Sequence, residues 1–530
     1  MINNKFSFLI LCSFFILGLI LNVQCLKFIF LLKTFIFLMI LLIFLIKLRK
    51  IALGSIIIYT EMFILGCMYT KINNVEKKYS NILRNAEAYI CTSQRTKDIK
   101  NKYTSMNFIV LKVKKNNIWH NINDFILTNV VIKNEDLRKY TIFYGDTFII
   151  NGSPRLIGSS GNININSFYK YYTQNGIHYN HFVDLYKIKY LGSKPISQGR
   201  YIFERINYIL KTNTLKNIKN NDSKYILSNL LFGKGDDIKK ELKESYIKSG
   251  IIHILAISGL HITIIFFIFM FILSYFVCNK NANIIFSLAL SWIYGCIILM
   301  PTSVLRALLM ISFYKISDFF NRNSFKYSFI FNSLIISLII NPSWIYSIGF
   351  QLSYLATFGI ILIQKDIYIF FKRRLYFPLE RLNDSKNKSL YTMIFNSIYV
   401  PIIRYLYGSI SVSTAANIFI FPVLLYNFHY INFFSICTNI IILSFMPLII
   451  FLGVILLVFC WTTYINLFIS YILSYLISFI NFIIIKLSNV ELFMIHSKQL
   501  NLTYIFTYYI IIMFIIIYFK NRNTNILFPG

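Results

Sequence analysis

The chain has 530 residues, 57% of them hydrophobic and 14% charged, with a mean hydropathy of +0.61; it carries 53 Lys and Arg against 20 Asp and Glu, a formal net charge of +33. This excludes an ordinary soluble domain, because apolar runs of about 18 or more residues are what a bilayer core of about 30 Å demands of a helix. The positive excess points to anionic partners such as lipid head groups or nucleic acid, although Lys, Asn, Ile, Phe and Tyr abundant beside sparse Ala and Gly is also the bias an A/T-rich genome produces.

The first apolar run, about residues 6–25, has no small-residue cleavage site after it and is followed at once by another, so it reads as a retained anchor. Runs near 28–46 and 51–70 complete a set of N-terminal transmembrane helices within residues 1–70. Lys47-Leu48-Arg49-Lys50 belongs in the cytoplasm by the positive-inside rule, which puts residues 71–200 outside it. That segment carries 20 Lys and Arg against 8 Asp and Glu. Alternating stretches at Phe108–Val113 and Thr147–Ile150, with turn signals at Gly145-Asp146, Asn151-Gly152 and Gly158–Gly161, predict a small all-β domain of OB-like kind.

Residues 201–250 read as amphipathic connecting helices, and residues 251–464 as a transmembrane core with spans near 251–276, 282–300, 303–319, 327–341, 343–364, 405–427 and 432–460. Residues 465–530 supply C-terminal transmembrane helices, with runs near 463–486 and 502–519, and a short cytoplasmic tail. Lys372-Arg373-Arg374 and Lys520-Asn521-Arg522 stay inside, which makes an α-helical polytopic membrane protein of about 10–12 spans with both termini cytoplasmic. The short runs at 303–319 and 327–341 are candidates for re-entrant or interfacial segments.

Cys12, Cys25, Cys67, Cys278, Cys296, Cys437 and Cys460 lie in or beside apolar runs and only Cys91 falls in the β segment, so no disulfide is expected there. No CxxC pair occurs, and the seven histidines are scattered. The closest pair, His178 and His181 with Asp184, reads as surface loop groups, so no metal and no cofactor is expected.

Three polar interruptions of the apolar core attract attention, because polar groups at membrane depth are costly and face a cavity or another helix. In Ser249–Ile262, a regular helix would put His253, Ser258 and His261 on one face with Gly250 in the same arc. The plainer alternative is close helix packing, with the histidines bonded to neighbouring backbone. Pro301–Met310 places Arg306 inside an apolar helix, facing a polar network or snorkelling to the interface. Asn341-Pro342 breaks a helix, and Gln351 and Ser353 enter the next. Phe421-Pro422 and Met446-Pro447 suggest further discontinuous helices.

These segments together resemble the ComEC-type competence protein family. Ser249–Ile262 is similar to its signature "aGi-HLLAiSGLHv", Val304–Met310 to its "vRA-lM" block, Pro342–Ala356 to its "P-----GFQLSflA" block, and Asn439–Leu448, less specifically, to its "N-ll-iPl" block. Leu230–Asp236 resembles a feature just ahead of that core, and Gly145-Asp146, Gly152, Asn162, Phe168, Tyr171 and Gly176-Ile177 resemble the end of the family's OB-fold domain more loosely.

The resemblance implies a channel that moves single-stranded DNA across the cytoplasmic membrane in natural competence, not an enzyme, with membrane lipids, a DNA receptor and a cytoplasmic translocation ATPase as partners. It directs attention to His253, Ser258, Gly259, His261, Arg306, Gln351 and Ser353 in the core, and to Tyr169, Tyr171 and Tyr172 as DNA contacts that are equally suited to packing the barrel. The HxHxDH motif of the family's metallo-β-lactamase-like domain is absent, so strand degradation is expected of another protein. Rival readings are a transporter for a different solute or polyanion and an intramembrane hydrolase pairing Ser258 with His253 or His261.

Overall fold

The computed structural model describes residues 86–99, 103–134, 140–157, 177–233, 239–319, 328–372, 400–432, 435–488 and 494–496, with residues 66 and 83 and most of 503–516. Apart from residue 66, the three expected N-terminal spans lie outside the described residues, as do Tyr169, Tyr171 and Tyr172. The chain forms two compact units, one of residues 1–210, 293–300 and 323–347, the other of 211–292, 301–322 and 348–530.

The first unit holds a seven-stranded sheet in the order β7-β8-β4-β3-β1-β6-β9. Its strands are β1 (Ala88–Ser93), β3 (Tyr103–Lys115), β4 (Ile118–Lys133), β6 (Asp146–Asn151), β7 (Arg155–Leu156), β8 (Ile177–Asp184) and β9 (Ile188–Ser193), while β2 (Lys97–Ile99) and β5 (Tyr140–Ile142) pair separately. All pairings are antiparallel except β4 with β8. The core follows the two-residue period of a strand: Tyr89 and Cys91, Met106, Phe108 and Val110, Val130 and Ile132, Phe148 and Ile150, Tyr179 and Val183. On β3 the inward set jumps from Val110 to Val113, because Cys91 of β1 pairs with Val110 and Ile90 with Lys112, so that one extra residue of β3 turns the rest of the strand over. Both expected strand stretches lie within β3 and β6. Gly145 has φ +88° and donates its N–H to the Ser93 carbonyl at 3.1 Å; a Cβ there would meet Pro195 Cα at 2.8 Å.

Within this sheet the Tyr89 hydroxyl and His181 Nδ1 lie 2.8 Å apart. Burial, then the charges of Lys187 and Arg155, push the His181 imidazole down to about 4.

The second unit is helical. α1 (Gln198–Leu215) leads into it, followed by α2 (Asn221–Phe232), α3 (Lys240–Lys248) and α4 (Gly259–Ser274). Next come α5 (Lys280–Ile297), α6 (Thr302–Phe319), α7 (Ser328–Ile340), α8 (Ile348–Phe371), α9 (Val400–Phe428), α10 (Ser435–Val458) and α11 (Thr463–Ser488); most of α1, all of α7 and the end of α5 belong to the first unit. Among the described residues, four helices are long and apolar enough to cross a membrane: Ile348–Phe371, Pro401–Phe428, Ser435–Val458 and Thr463–Ser488. The expected class, a helical membrane protein with a small β domain, is what the structure has.

The helical unit differs from the sequence reading in two ways. A regular helix over 251–276 is expected, but the helix starts only at Gly259. Gly250, at φ +75°, ends α3, with the Ile251 N–H bonding back to the Tyr246 carbonyl at 3.0 Å. A short 3₁₀ turn at Ile252–Leu255 follows, and Ala256 is extended. His253, Ser258 and His261 therefore do not share one helix face. The second difference lies at the prolines: α9 and α10 run unbroken through Pro422 and Pro447. A helix proline strips the hydrogen bond from the carbonyl four residues back. For Pro422 that carbonyl belongs to Ile418, and the Tyr508 hydroxyl donates to it at 3.0 Å, while Tyr509 donates to Phe419 at 2.7 Å.

α8 and α9 approach closely at Gly359, where a Cβ would fall 2.5 Å from the Ala415 carbonyl oxygen and 2.7 Å from the Phe419 ring; Gly408 in α9 has open space. Gly359→Ala is expected to destabilise the solubilised protein by about 1–3 kcal/mol through overpacking, whereas Gly408→Ala stabilises it by about 0.5–1 kcal/mol through helix propensity. Thermal unfolding in detergent reads both signs. Equal shifts would contradict the close crossing.

The His181 environment yields a second expectation. Its folded value lies below the ordinary 6.5, so its contribution to stability is complete above about pH 6.5 and is lost as pH falls towards 4. Burial raises the Asp146 carboxyl and gives the opposite trend, so stability alone mixes the two. The His181 ring resonance is expected to hold its neutral position down to about pH 5.5. A midpoint near 6.5 would contradict the buried, tyrosine-bonded imidazole.

Candidate functional site

The candidate site is built where three helices of the second unit begin. Ser258 is extended and forms the N-cap of α4, and its N–H donates to His261 Nδ1 at 3.1 Å. His261 thus stands at the third helical position, where a capping box ordinarily has Glu or Gln, and satisfies a backbone donor at the helix start. Because Nδ1 accepts, the ring proton of a neutral His261 resides on Nε2. His261 is buried, Ser258 and Gly259 are half-buried, and His253 in the preceding 3₁₀ turn is exposed. His253 and His261 lie close enough to interact electrostatically.

α6 opens at Thr302, directly after Pro301, the favoured first-turn residue. The two residues before it, Leu299 and Met300, both have left-handed φ, at +67° and +47°, and such non-glycine positions cost about 1–3 kcal/mol each and collect at functional sites. Ser303 Oγ donates to the Ile257 carbonyl at 2.6 Å, and a Cβ on Gly259 would touch Ala307 Cβ at 3.5 Å. Residues 257 and 259 thus align with 303 and 307, so the start of α4 lies along the start of α6. Arg306, only 4% exposed, donates through Nη2 to the Gly349 carbonyl at 3.2 Å and lies 5.3 Å from the Phe350 ring centre. Gly349 and Phe350 belong to the first turn of α8.

The structure thus brings Ser258, Gly259, His261 and Arg306 together around these helix starts. Gln351 and Ser353 sit in the first two turns of the same α8, half-buried. The Ser353 carbonyl accepts from Thr357 Oγ1 at 2.9 Å. Snorkelling is not what Arg306 does here, because its guanidinium is buried and tied to α8.

One polar feature escapes the sequence reading. On α11 the residues Asn466, Ser470, Ser474, Ser478 and Asn481 recur every three or four positions. Asn466 Oδ1 accepts from Asn217 Nδ2 at 2.9 Å, and Ser478 Oγ from Asn220 Nδ2 at 3.1 Å; Ser223 Oγ donates to the Ser474 carbonyl at 3.2 Å, and the Tyr246 hydroxyl to Asn481 Oδ1 at 2.9 Å. This stripe fastens the connecting segment around α2 and α3 to a membrane helix, and its helical spacing was the available signal. Among the described residues, no group of three or more His, Cys, Asp or Glu side chains is placed to hold a metal ion.

The family model described as "Competence protein" matches residues 230–522, which takes in α4, α6, α8 and the α11 stripe. ComE operon protein 3 of Bacillus subtilis (strain 168) is 28% identical over 299 residues, covering 55% of this chain and 34% of that protein, so the chain spans about a third of that relative's length. No solved structure matches. With more than half of its length inside the family model, the chain belongs to the competence protein family.

Proposed function

We propose that this membrane protein forms the conduit through which single-stranded DNA crosses the cytoplasmic membrane during natural competence. The observation that carries the reading is that the competence family match encloses three polar helix starts whose first turns contain no acidic residue. Carboxylates would repel a polyanion, while hydroxyl, amide and scattered cationic groups let it pass. In this reading Ser258, Gly259, His261, Arg306, Gln351 and Ser353 line, gate or pack the path, and His253 stands exposed beside it. A DNA receptor and a cytoplasmic translocation ATPase deliver and pull the strand.

The sheet-bearing unit receives the strand on the extracytoplasmic face. Its meander β1-β3-β4, with β6 flanking β1 and β8 parallel to β4, suits an OB-like arrangement. Phe182, Tyr186 and Tyr190 are 72%, 79% and 57% exposed and are interleaved with Lys187 and Lys189, which offers stacking faces beside positive charge.

The hydrolase alternative loses support from the same geometry, since His261 Nδ1 is taken by the Ser258 backbone and not by its hydroxyl. A transporter of another solute remains distinguishable by experiment: deletion of the gene is expected to abolish uptake of labelled DNA, and complementation to restore it. Unchanged uptake in the deletion strain would remove the DNA reading.

Gly259→Leu and Ser258→Leu are expected to lower transformation about 100-fold or more at near-normal protein abundance, while Gly259→Ala, whose Cβ meets Ala307 only at ordinary contact distance, transforms normally. Normal transformation by both leucine variants would exclude this helix start from the path. For topology, Cys91 is fully buried and cannot report on sidedness. An exposed substitute, Lys189→Cys, is expected to react with a membrane-impermeant maleimide in intact cells above the unsubstituted background. Reaction only after the membrane is opened would reverse the orientation.

A further inference from the structure

We propose that the convergent starts of α4, α6 and α8, together with Arg306, form a binding site for one phosphodiester of the strand in transit, an inference that rests on the DNA-conduit reading above. Each start carries roughly half a positive charge from its aligned peptide dipoles. The three helices are 16, 18 and 24 residues long, and none has an acidic residue in its first turn. They are joined by the Ser303 bond to Ile257 and the Arg306 bond to Gly349, and Gly259 faces Ala307.

Arg306 supplies the second, independent observation. Its side chain is buried, it has no ion-pair partner among the described residues, and its Nε is buried without a hydrogen-bond partner. A buried cation without a counter-ion is strongly disfavoured, and here it is set among three positive helix ends, which adds repulsion. The Gly349 carbonyl and the Phe350 ring offset part of this, but neither carries a full negative charge. A phosphodiester removes the conflict. Its two unesterified oxygens match the planar Nε and Nη fork of a guanidinium, and the helix ends favour its charge. The Gly349 carbonyl holds the place of one phosphate oxygen, so an arriving phosphate exchanges with it and the guanidinium stays satisfied in either state. Binding at a single arginine is also weak enough to release the next phosphate in turn, as conduction requires.

The test uses the full chain in maltoside micelles without added phospholipid, with dimethyl phosphate as the probe and its ³¹P line width as the readout. Wild type is expected to broaden the line, and Arg306→Gln to reduce the broadening roughly fivefold or more. Thr302→Asp is the companion variant, because Thr302 is exposed and an acid at a first helical position supports folding while competing with the probe. It is expected to reduce broadening to a similar degree in protein at least as heat-stable as wild type. No broadening by wild type, or equal broadening in all three proteins, overturns the site. Native mass spectrometry distinguishes a lipid source: phosphatidylglycerol retained by wild type and lost in Arg306→Gln, with no response to dimethyl phosphate, assigns the site to lipid and overturns the strand reading of it. The DNA-conduit reading is judged separately by the deletion strain, so its failure would leave the micelle result standing.

Discussion

The hydrogen bond from Ser303 to the Ile257 carbonyl expresses the constraint on which the helical unit depends: within a bilayer, a backbone group released from a helix has no water to turn to, so a side chain must take it. The chain releases backbone groups repeatedly, and side chains take several of them. His261 takes the Ser258 N–H at the start of α4, and Tyr508 takes the Ile418 carbonyl freed by Pro422. Breaks tolerated in this way do more than bend a helix. They place hydroxyls, an imidazole and a guanidinium at the beginnings of helices, where backbone dipoles also point, and so create polar, positive ground inside an apolar protein.

Packing and function meet at the same residues. Gly259 faces Ala307 with room for one methyl group between them, so the start of α4 lies along α6 and the Ser258 and His261 cap comes beside the helix that carries Arg306. Arg306 in turn reaches the first turn of α8. A bulky or charge-removing change among these residues therefore alters the approach of the helices, the polarity of the ground between them, or both. Elsewhere the polar groups serve assembly, as on α11, where Asn466 and Asn481 bond to Asn217 and Tyr246.

Much of this was legible in the sequence, for physical reasons. Apolar runs fix membrane helices because the bilayer leaves few alternatives, and the two-residue alternation at Phe108 and at Phe148 located strands whose inward residues do form the core. The motif around Ser258 stood out in the sequence, but its local geometry did not. Periodicity alone treated Gly250 to Ile262 as one helix, whereas Gly250 in the left-handed region and Ser258 as an extended cap divide it. Pro422 misled in the other direction, since the tyrosines that rescue its helix lie about 90 residues further on and no local pattern announces them. The partner of Arg306 was equally invisible, because it is a backbone carbonyl, and any residue type has one.

The account's central claim is that DNA passes the polar helix starts, and cross-linking a strand arrested in transit tests it most directly. A strand carrying photoreactive thymidine analogues is stalled in cells expressing single-site variants that bear a photoreactive side chain at Ser258 or at Tyr471, which is 73% exposed on the outer surface of α11. The account predicts cross-links at position 258 and none above background at position 471. Cross-links equal at both positions, or confined to 471, would contradict it.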